Sequence, residues 1–351
     1  MPNASGRGQT RCSMPDPVKP VRFAAIGLDH FHIHAQIALM LEQGCEFVAY
    51  HGEEETFFKR SFAAEYPEAR KVDDPRRILD DDRIAVVLSA AVNSERASLG
   101  IEVMRHGKDF MVDKPGITSL DQLAEVRRVQ AETGRIYSIC YGRLQSPATI
   151  KAGELLRAGA IGRLVNIVSL GPHRLNRPRR PDWFFKRDRF GGILTDLASH
   201  SCEQFLFFTD GLDAEIASAS VANRATPEFP DFQDFGEILL RTPEATGYVR
   251  VDWFTPDGLP TWGDGRLTLI GTEGYMELRK NLDIAGAPGA NHLFLVDRNG
   301  VQRIDCSGVE LPFARQFVDD VRNRTETAMS QSHCFRAAEL SLTAQAMAER
   351  S

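Results

Sequence analysis

Asp196 and His200 stand four residues apart in the stretch Gly191-Gly192-Ile193-Leu194-Thr195-Asp196-Leu197-Ala198-Ser199-His200. That spacing stacks a carboxylate and an imidazole on one face of an α-helix, and the two are acid–base equipment. The paired glycines permit a tight approach ahead of the helix. At about 3.6 residues per turn, Leu194, Leu197, Ser201, Phe205 and Phe208 fall on one side, and Asp196, His200 and Glu203 nearly opposite. The pair therefore faces away from the helix's own core. Either it is a solvated surface pair of little consequence, or it points into a cleft completed by another part of the chain.

Other residues with chemistry to offer are clustered. His30-Phe31-His32-Ile33-His34 puts three imidazoles at a predicted helix start, and a His-x-His after a first strand is also how metal-dependent amidohydrolases begin. That barrel needs further ligands on later parallel strands, whereas the late strands here read antiparallel. The run from His173 to Phe184 is basic but carries Trp183 and Phe184. These are candidates to wall a substrate pocket in which one or two arginines meet an anionic group.

The elements that must position these groups read as follows. At 351 residues the chain exceeds one small core, so two domains are expected. No run approaches the ~18 consecutive apolar residues of a membrane span, and a net charge of -6 argues against nucleic acid. Six scattered cysteines without a C-x-x-C imply a reduced, cytoplasmic chain with no cysteine metal site, and no metal is expected. Residues 1–20 read as a disordered leader, and Met14 is an alternative start to Met1.

From Val21 the pattern is a buried strand ending at Gly27, a helix over Ile33 to Gln43 and a second strand over Glu46 to Tyr50, a β-α-β unit. It continues with a helix over Phe57 to Tyr66, strands at Ile84 to Ala90, Asp109 to Val112 and Arg135 to Cys140, and helices over Arg96 to His106 and Leu120 to Glu132. Such alternation predicts an α/β fold, a doubly wound parallel sheet over 21–143 whose strand ends converge on one crevice. Over 144–351 the expectation is an α+β domain with a largely antiparallel open sheet and two closing helices, Phe313 to Arg324 and Phe335 to Glu349.

From Val21 onward the chain resembles the glucose-fructose oxidoreductase and inositol dehydrogenase family. The resemblance is carried by the turn at Gly27, Asn93, Gly107-Lys108 followed by Asp113-Lys114-Pro115, Tyr141-Gly142-Arg143, Gly159-Ala160-Ile161-Gly162, and Gly191-Gly192 with Asp196 and His200. It implies a Rossmann domain and an NAD- or NADP-dependent oxidoreductase acting on a sugar, polyol or related hydroxy compound. It also implies a catalytic group of Lys114, Asp196 and His200, with His200 accepting a proton and Asp196 orienting it. Dinucleotide contacts fall to Gly27, Asp29, His30, Phe31, Asn93 and Lys114, and to Glu53 for the ribose. Beside Trp183 and Phe184, Tyr141 and Arg143 at the domain junction are the other substrate-side candidates.

Where the family's turn reads G-x-G-x-x-G/A, this chain keeps only Gly27, with Asp29 in place of the second glycine, and Arg96 stands where a histidine is common. A family member that binds without catalysing, and a metal-dependent hydrolase using His30 and His32, are the alternatives. An exposed sheet face in the second domain is one that members of the resembled family cover by pairing with another subunit, so the resemblance implies a homodimer or homotetramer.

Overall fold

Strand β1 (Arg22–Ile26) is apolar on both faces, and Phe23, Ala24 and Ala25 are fully buried, as a strand covered from two sides requires. It feeds helix α1 (His32–Leu41), which buries Ile33, Gln36, Ile37 and Met40, one face of a helix, before the chain turns at Gly44 (φ +73°) into β2 (Glu46–His51). β2 pairs with β1 in parallel.

The computed structural model describes residues 19–52 and 61–350. Most of the expected leader, Glu53 and the first part of the helix predicted from Phe57 lie outside the described residues. The described part of that helix is α2 (Phe62–Glu65).

The alternation continues through β3 (Arg70–Lys71), α3 (Arg76–Leu79), β4 (Val86–Ser89), α4 (Arg96–Arg105), β5 (Asp109–Asp113), α5 (Leu120–Thr133) and β6 (Tyr137–Cys140). Ser119 caps α5 by accepting from the amide of Gln122, and Gly134 (φ +61°) ends it. The strand order β3-β2-β1-β4-β5-β6, with parallel neighbours throughout, is the doubly wound topology expected. Its order reverses between β1 and β4, which is where such a sheet opens a crevice.

Helix α6 (Pro147–Arg157) leads into β7 (Leu164–Pro172), then α7 (Arg187–Phe190) and α8 (Ser199–Thr209). A run of strands follows: β8 (Glu215–Ala222), β9 (Phe235–Arg241), β10 (Thr246–Asp252), β11 (Arg266–Gly271), β12 (Gly274–Arg279), β13 (His292–Asp297) and β14 (Gly300–Ile304). They form one open sheet in the order β14-β13-β12-β11-β7-β10-β9-β8, antiparallel except where β7 meets β10. An open antiparallel sheet cannot supply the parallel strand ends of an amidohydrolase barrel, which removes the hydrolase alternative built on His30 and His32.

Helices α6 and α8 pack on one face of this sheet. The other face carries a cross-strand row in register, Leu239, Tyr248, Val168, Thr268, Glu277 and Phe294, beside the exposed Ile270 and Tyr275.

The two closing helices are α9 (Phe313–Asn323) and α10 (Gln331–Ala348). Helix α9 packs on α1, and Arg324 just after it bonds Asp109 and the carbonyl of Gly134, so this stretch returns to the first sheet. Helix α10 touches α5 and β6 on one side and α8 and β8 on the other, riveting the two halves together.

Candidate active site

Arg96, the first residue of α4, is 1% exposed and is the anchor beneath the site. Its Nε donates to the carbonyl of Ala91 (2.7 Å). Its Nη1 donates to those of Lys114 (2.6 Å), Asp113 (3.1 Å) and Pro115 (3.3 Å), and its Nη2 to the Asp113 carboxylate (3.2 Å). A planar guanidinium fork thus stitches the loop after β4 to the loop after β5 and fixes where Lys114 leaves the sheet.

From there the Lys114 Nζ donates to Asp196 Oδ1 at 2.9 Å, with the two residues only 8% and 4% exposed. The lysine comes from the first sheet's strand end and the carboxylate from the Gly-Gly helix.

That helix is not the one its sequence spacing implies. Gly191 (φ +91°) and Gly192 (φ +90°) occupy the left-handed region, and a Cβ on Gly192 would lie 2.3 Å from the Gln345 side chain. Gln345 and Gln233 then accept from the first amides, those of Leu194 and Ile193. Leu194–Ala198 is a π-helical segment, and only from Ser199 does the α-helix proper run. The wider turn breaks the i, i+4 relation.

Asp196 and Glu203, on the face projected away from the helix's own core, are both enclosed, as a cleft and not a solvated surface pair requires. One expectation is corrected: Asp196 is bonded to Lys114 instead of orienting His200.

His200 takes its orientation from the backbone. The amide of Gly142, in the loop after β6, donates to His200 Nδ1 at 2.9 Å. Burial, then the charges of Lys114 and Lys280, hold its pKa well below 6.5, so the ring is neutral at pH 7. Because Nδ1 accepts a hydrogen bond, the single proton of the neutral ring sits on Nε2.

A pocket on this side of the second sheet is lined by Gly171, His173, His200, Gln204, Trp262 and Lys280. His173 Nδ1 lies 3.0 Å from the carbonyl of Gly171, and its ring packs against Trp262 and Trp253. Burial, reinforced by Lys114, Lys280 and Arg180, keeps it neutral as well.

Arg180 lies across the faces of Phe184 (4.3 Å) and Trp253 (4.9 Å) and donates to the Leu175 carbonyl. Burial pushes its pKa down to about 10, against the pull of Asp196, and it remains a cation at pH 7. Lys280 borders the pocket over Trp262 (5.5 Å), still touching solvent, with a pKa lowered by its protein surroundings and by Lys114.

The remaining predicted site residues divide. Tyr141 is buried, its hydroxyl donating to the Cys334 carbonyl (3.4 Å). Arg143 bonds the enclosed Glu203, which His333 also contacts, and lies over Phe207. Burial favours the neutral acid at Glu203, but Arg143 and His333 outweigh it and keep the carboxyl below its usual range. Phe184 belongs to an aromatic cluster with Phe190, Phe232 and Trp253, with Trp183 against it. Tyr141, Arg143, Trp183 and Phe184, expected to face the substrate, do not line this pocket, and Phe184 seats Arg180. The side-chain amide of Asn93 donates to the Phe190 carbonyl, tying the first domain to the loop before the Gly-Gly turn.

At the crevice of the first sheet, Gly27 (φ +80°) brings the turn after β1 so close to β4's loop that a Cβ would meet Ala91 at 2.5 Å. The amide of His32, the first residue of α1, donates to His30 Nδ1 at 3.4 Å, no acidic residue stands in the first turn, and Phe31 is exposed there. A helix start at the switch point of such a sheet fits a pyrophosphate. His32 and His30 approach Asp113 at 3.0 and 3.5 Å. Burial alone would raise Asp113, but His32 and Arg96 hold its carboxyl well below the usual range. Asp113 therefore gathers His30 and His32 at the helix start, where His32 stands in place of the last glycine or alanine of the usual turn.

Sequence reasoning missed Arg96 as an anchor, although it marked the position as a departure. It also missed His173 and Lys280 as pocket residues. His173 was legible as the residue that follows β7, while Lys280 carries no sequence signal.

Comparison with known proteins follows the same lines. Residues 21–141 match the family described as "Oxidoreductase family, NAD-binding Rossmann fold", and residues 149–277 match "GFO/IDH/MocA C-terminal domain". A crystal structure from Erwinia carotovora atroseptica, of a protein assigned as an oxidoreductase, is 41% identical with a TM-score of 0.90, covering 93% of this chain and 98% of that one.

D-xylose dehydrogenase of Paenarthrobacter nicotinovorans is 22% identical over 57% of this chain and 51% of its own length. The NAD+-dependent scyllo-inositol 2-dehydrogenase of Bacillus subtilis is 26% identical over 64% and 65%. The match thus spans about half the length of the xylose enzyme and just under two thirds of the inositol enzyme.

Proposed function

The chain belongs to the GFO/IDH/MocA family of NAD-binding oxidoreductases, and from that premise we propose that it interconverts a hydroxyl and a carbonyl on a sugar, polyol or related hydroxy compound, using NAD or NADP. The observation that carries this is the buried Lys114–Asp196 contact between the two domains, with neutral His200 nearby. A nicotinamide, when bound, supplies the hydride acceptor or donor.

The chain's own residues do the rest. Gly27, with the α1 start around Asp29, His30 and Phe31, receives the pyrophosphate. Asn93 holds the loop beneath it. Lys114, held by Asp196 and Arg96, and the Nε2–H of His200 direct donors at the reacting oxygen, where negative charge develops.

Arg180 is seated on aromatic faces and a backbone carbonyl, and Lys280 on Trp262, so both keep their charge for a ligand. A hydroxy compound bearing a carboxylate suits them better than a neutral one. Formation of reduced dinucleotide from NAD+ and NADP+ should therefore be followed with D-gluconate, L-tartrate, scyllo-inositol and D-xylose. The acids are expected to exceed the neutral compounds at least roughly tenfold in kcat/KM, the equivalent of one charge-assisted hydrogen bond. Equal or better turnover of the neutral pair would contradict the anionic assignment, and no turnover of any would count against the activity.

The unpartnered row from Leu239 to Phe294 supports a homodimer or homotetramer formed through the open sheet face. Light scattering at micromolar concentration should give a multiple of the 39.1 kDa chain, and a monomer would contradict it. No described helix is long and apolar enough to cross a membrane. The five described cysteines are unpaired, which supports a reducing, cytoplasmic setting.

A further inference from the structure

Among the described residues, the pocket beside His200 is lined by two permanent cations, Arg266 and Lys280, and by no carboxylate. Arg266 is neutralised locally by Asp264, which accepts from its Nε at 3.0 Å. Lys280, the residue after β12, pairs with no described carboxylate, and the charge it feels is that of a second cation, Lys114. Its backbone is clamped on both sides, the amide donating to the Gly265 carbonyl and the carbonyl accepting from the Asn291 amide, both at 2.9 Å. Lys280 is therefore a cation held in place with its charge uncompensated. Arg180 adds positive charge from outside this lining.

The ammonium also stands beside the reacting centre. Lys280 Nζ and His200 Nδ1 lie 3.3 and 3.5 Å from the point that a Cβ on Gly142 would take, so both groups border one backbone position. A carboxylate bound by Lys280 is thereby kept close to the hydroxyl that Lys114 and His200 address.

Resting on the oxidoreductase reading above and on its anionic substrate, we infer that the substrate is a 2-hydroxy acid, and that Lys280 selects it by binding the carboxylate carried on the reacting carbon. In such an acid the carboxylate and the carbinol are on adjacent carbons, which matches an ammonium adjacent to the catalytic imidazole. The protein around Lys280, and after it the charge of Lys114, lower the pKa of its ammonium, and a carboxylate arriving there offsets both. In the oxidising direction the electron pair of the carbinol C–H bond reduces the oxidised dinucleotide, the O–H proton leaves for solvent, and the C=O bond of a 2-oxo acid forms. The carboxylate is unchanged and stays on Lys280 throughout.

Binding is the direct test, made on the full chain saturated with NADH or NADPH so that no turnover occurs. Titration calorimetry compares D-gluconate with D-gluconamide and L-tartrate with L-tartramide, pairs that differ in charge and hardly in shape. At least one acid is expected to bind roughly tenfold or more tighter than its amide, as one charge-assisted contact implies. Lys280→Met should abolish that preference with dinucleotide affinity unchanged, and Lys280→Arg, which keeps a cation able to pair with a carboxylate, should retain most of it. Acid and amide binding alike in the wild type, or a preference that survives Lys280→Met, would overturn the inference.

The position of the carboxylate is tested by turnover. D-glucuronate in its ring form carries a carboxylate but no free hydroxyl on the neighbouring carbon, and its kcat/KM should lie at least roughly tenfold below that of the better acid. Equal values would overturn the 2-hydroxy assignment. A wild-type chain that binds no dinucleotide would instead sink the oxidoreductase reading, whereas one that binds dinucleotide and neither acid would sink only this inference.

Discussion

Replacing Lys114 with Met should lower turnover by roughly 10²- to 10³-fold, the usual cost of removing a preorganised donor from a developing oxyanion. It should also destabilise the protein by about 3–5 kcal/mol, because the Asp196 carboxylate is left buried without its ammonium. The two effects separate in a second variant. Lys114→Met combined with Asp196→Leu removes both charges and should recover most of the stability while recovering none of the turnover. Urea denaturation and dinucleotide reduction on the same preparations measure both. A single variant with stability and turnover near wild type would mean the pair is incidental.

The same substitution has a signed consequence for pH. The charge of Lys114 contributes, after burial, to holding His173 and His200 below 6.5. An unfolded chain takes up protons below about pH 6.5 that these two rings refuse, so wild-type stability falls as the pH drops through that range. Without Lys114 both rings titrate at higher pH and the loss on acidification becomes shallower.

Arg96→Met should be as damaging from farther away. The methionine fills much of the space, but four backbone carbonyls and the Asp113 carboxylate lose their donor inside the protein. A cost of about 3–5 kcal/mol is expected, together with a fall in turnover as the loop bearing Lys114 loses its register. Arg96→Lys should rescue little, because a single ammonium cannot span the carbonyls of Ala91 and Pro115 at once. A loss below about 1 kcal/mol would show that water replaces the guanidinium without strain.

The parallel sheet was readable because each of β1, β2, β4, β5 and β6 is a short apolar run set between amphipathic helices. Strand β14 was not, since Gly300–Ile304 is an exposed edge held by pairing to β13 and not by a buried face. At the site, the residue types of Lys114, Asp196 and His200 were legible but their pairing was not.

Apolar spacing cannot distinguish a π-helical turn from an α-helical one. The bond that redirects Asp196 comes from a lysine 82 positions earlier. Likewise His200 and His173 look alike in sequence. Only the amide of Gly142 and the carbonyl of Gly171 set their Nδ1 atoms as acceptor and donor respectively.

The account stands most directly on dinucleotide binding, because the turn after β1 replaces the usual glycines with Asp29 and His32. Titration calorimetry of the full chain with NAD+, NADH, NADP+ and NADPH is expected to show one site per chain for at least one of the two couples. Binding should weaken when His32→Ala removes an imidazole from Asp113 and should be unchanged in His200→Ala. Heats indistinguishable from dilution for all four dinucleotides would contradict the account at its first step.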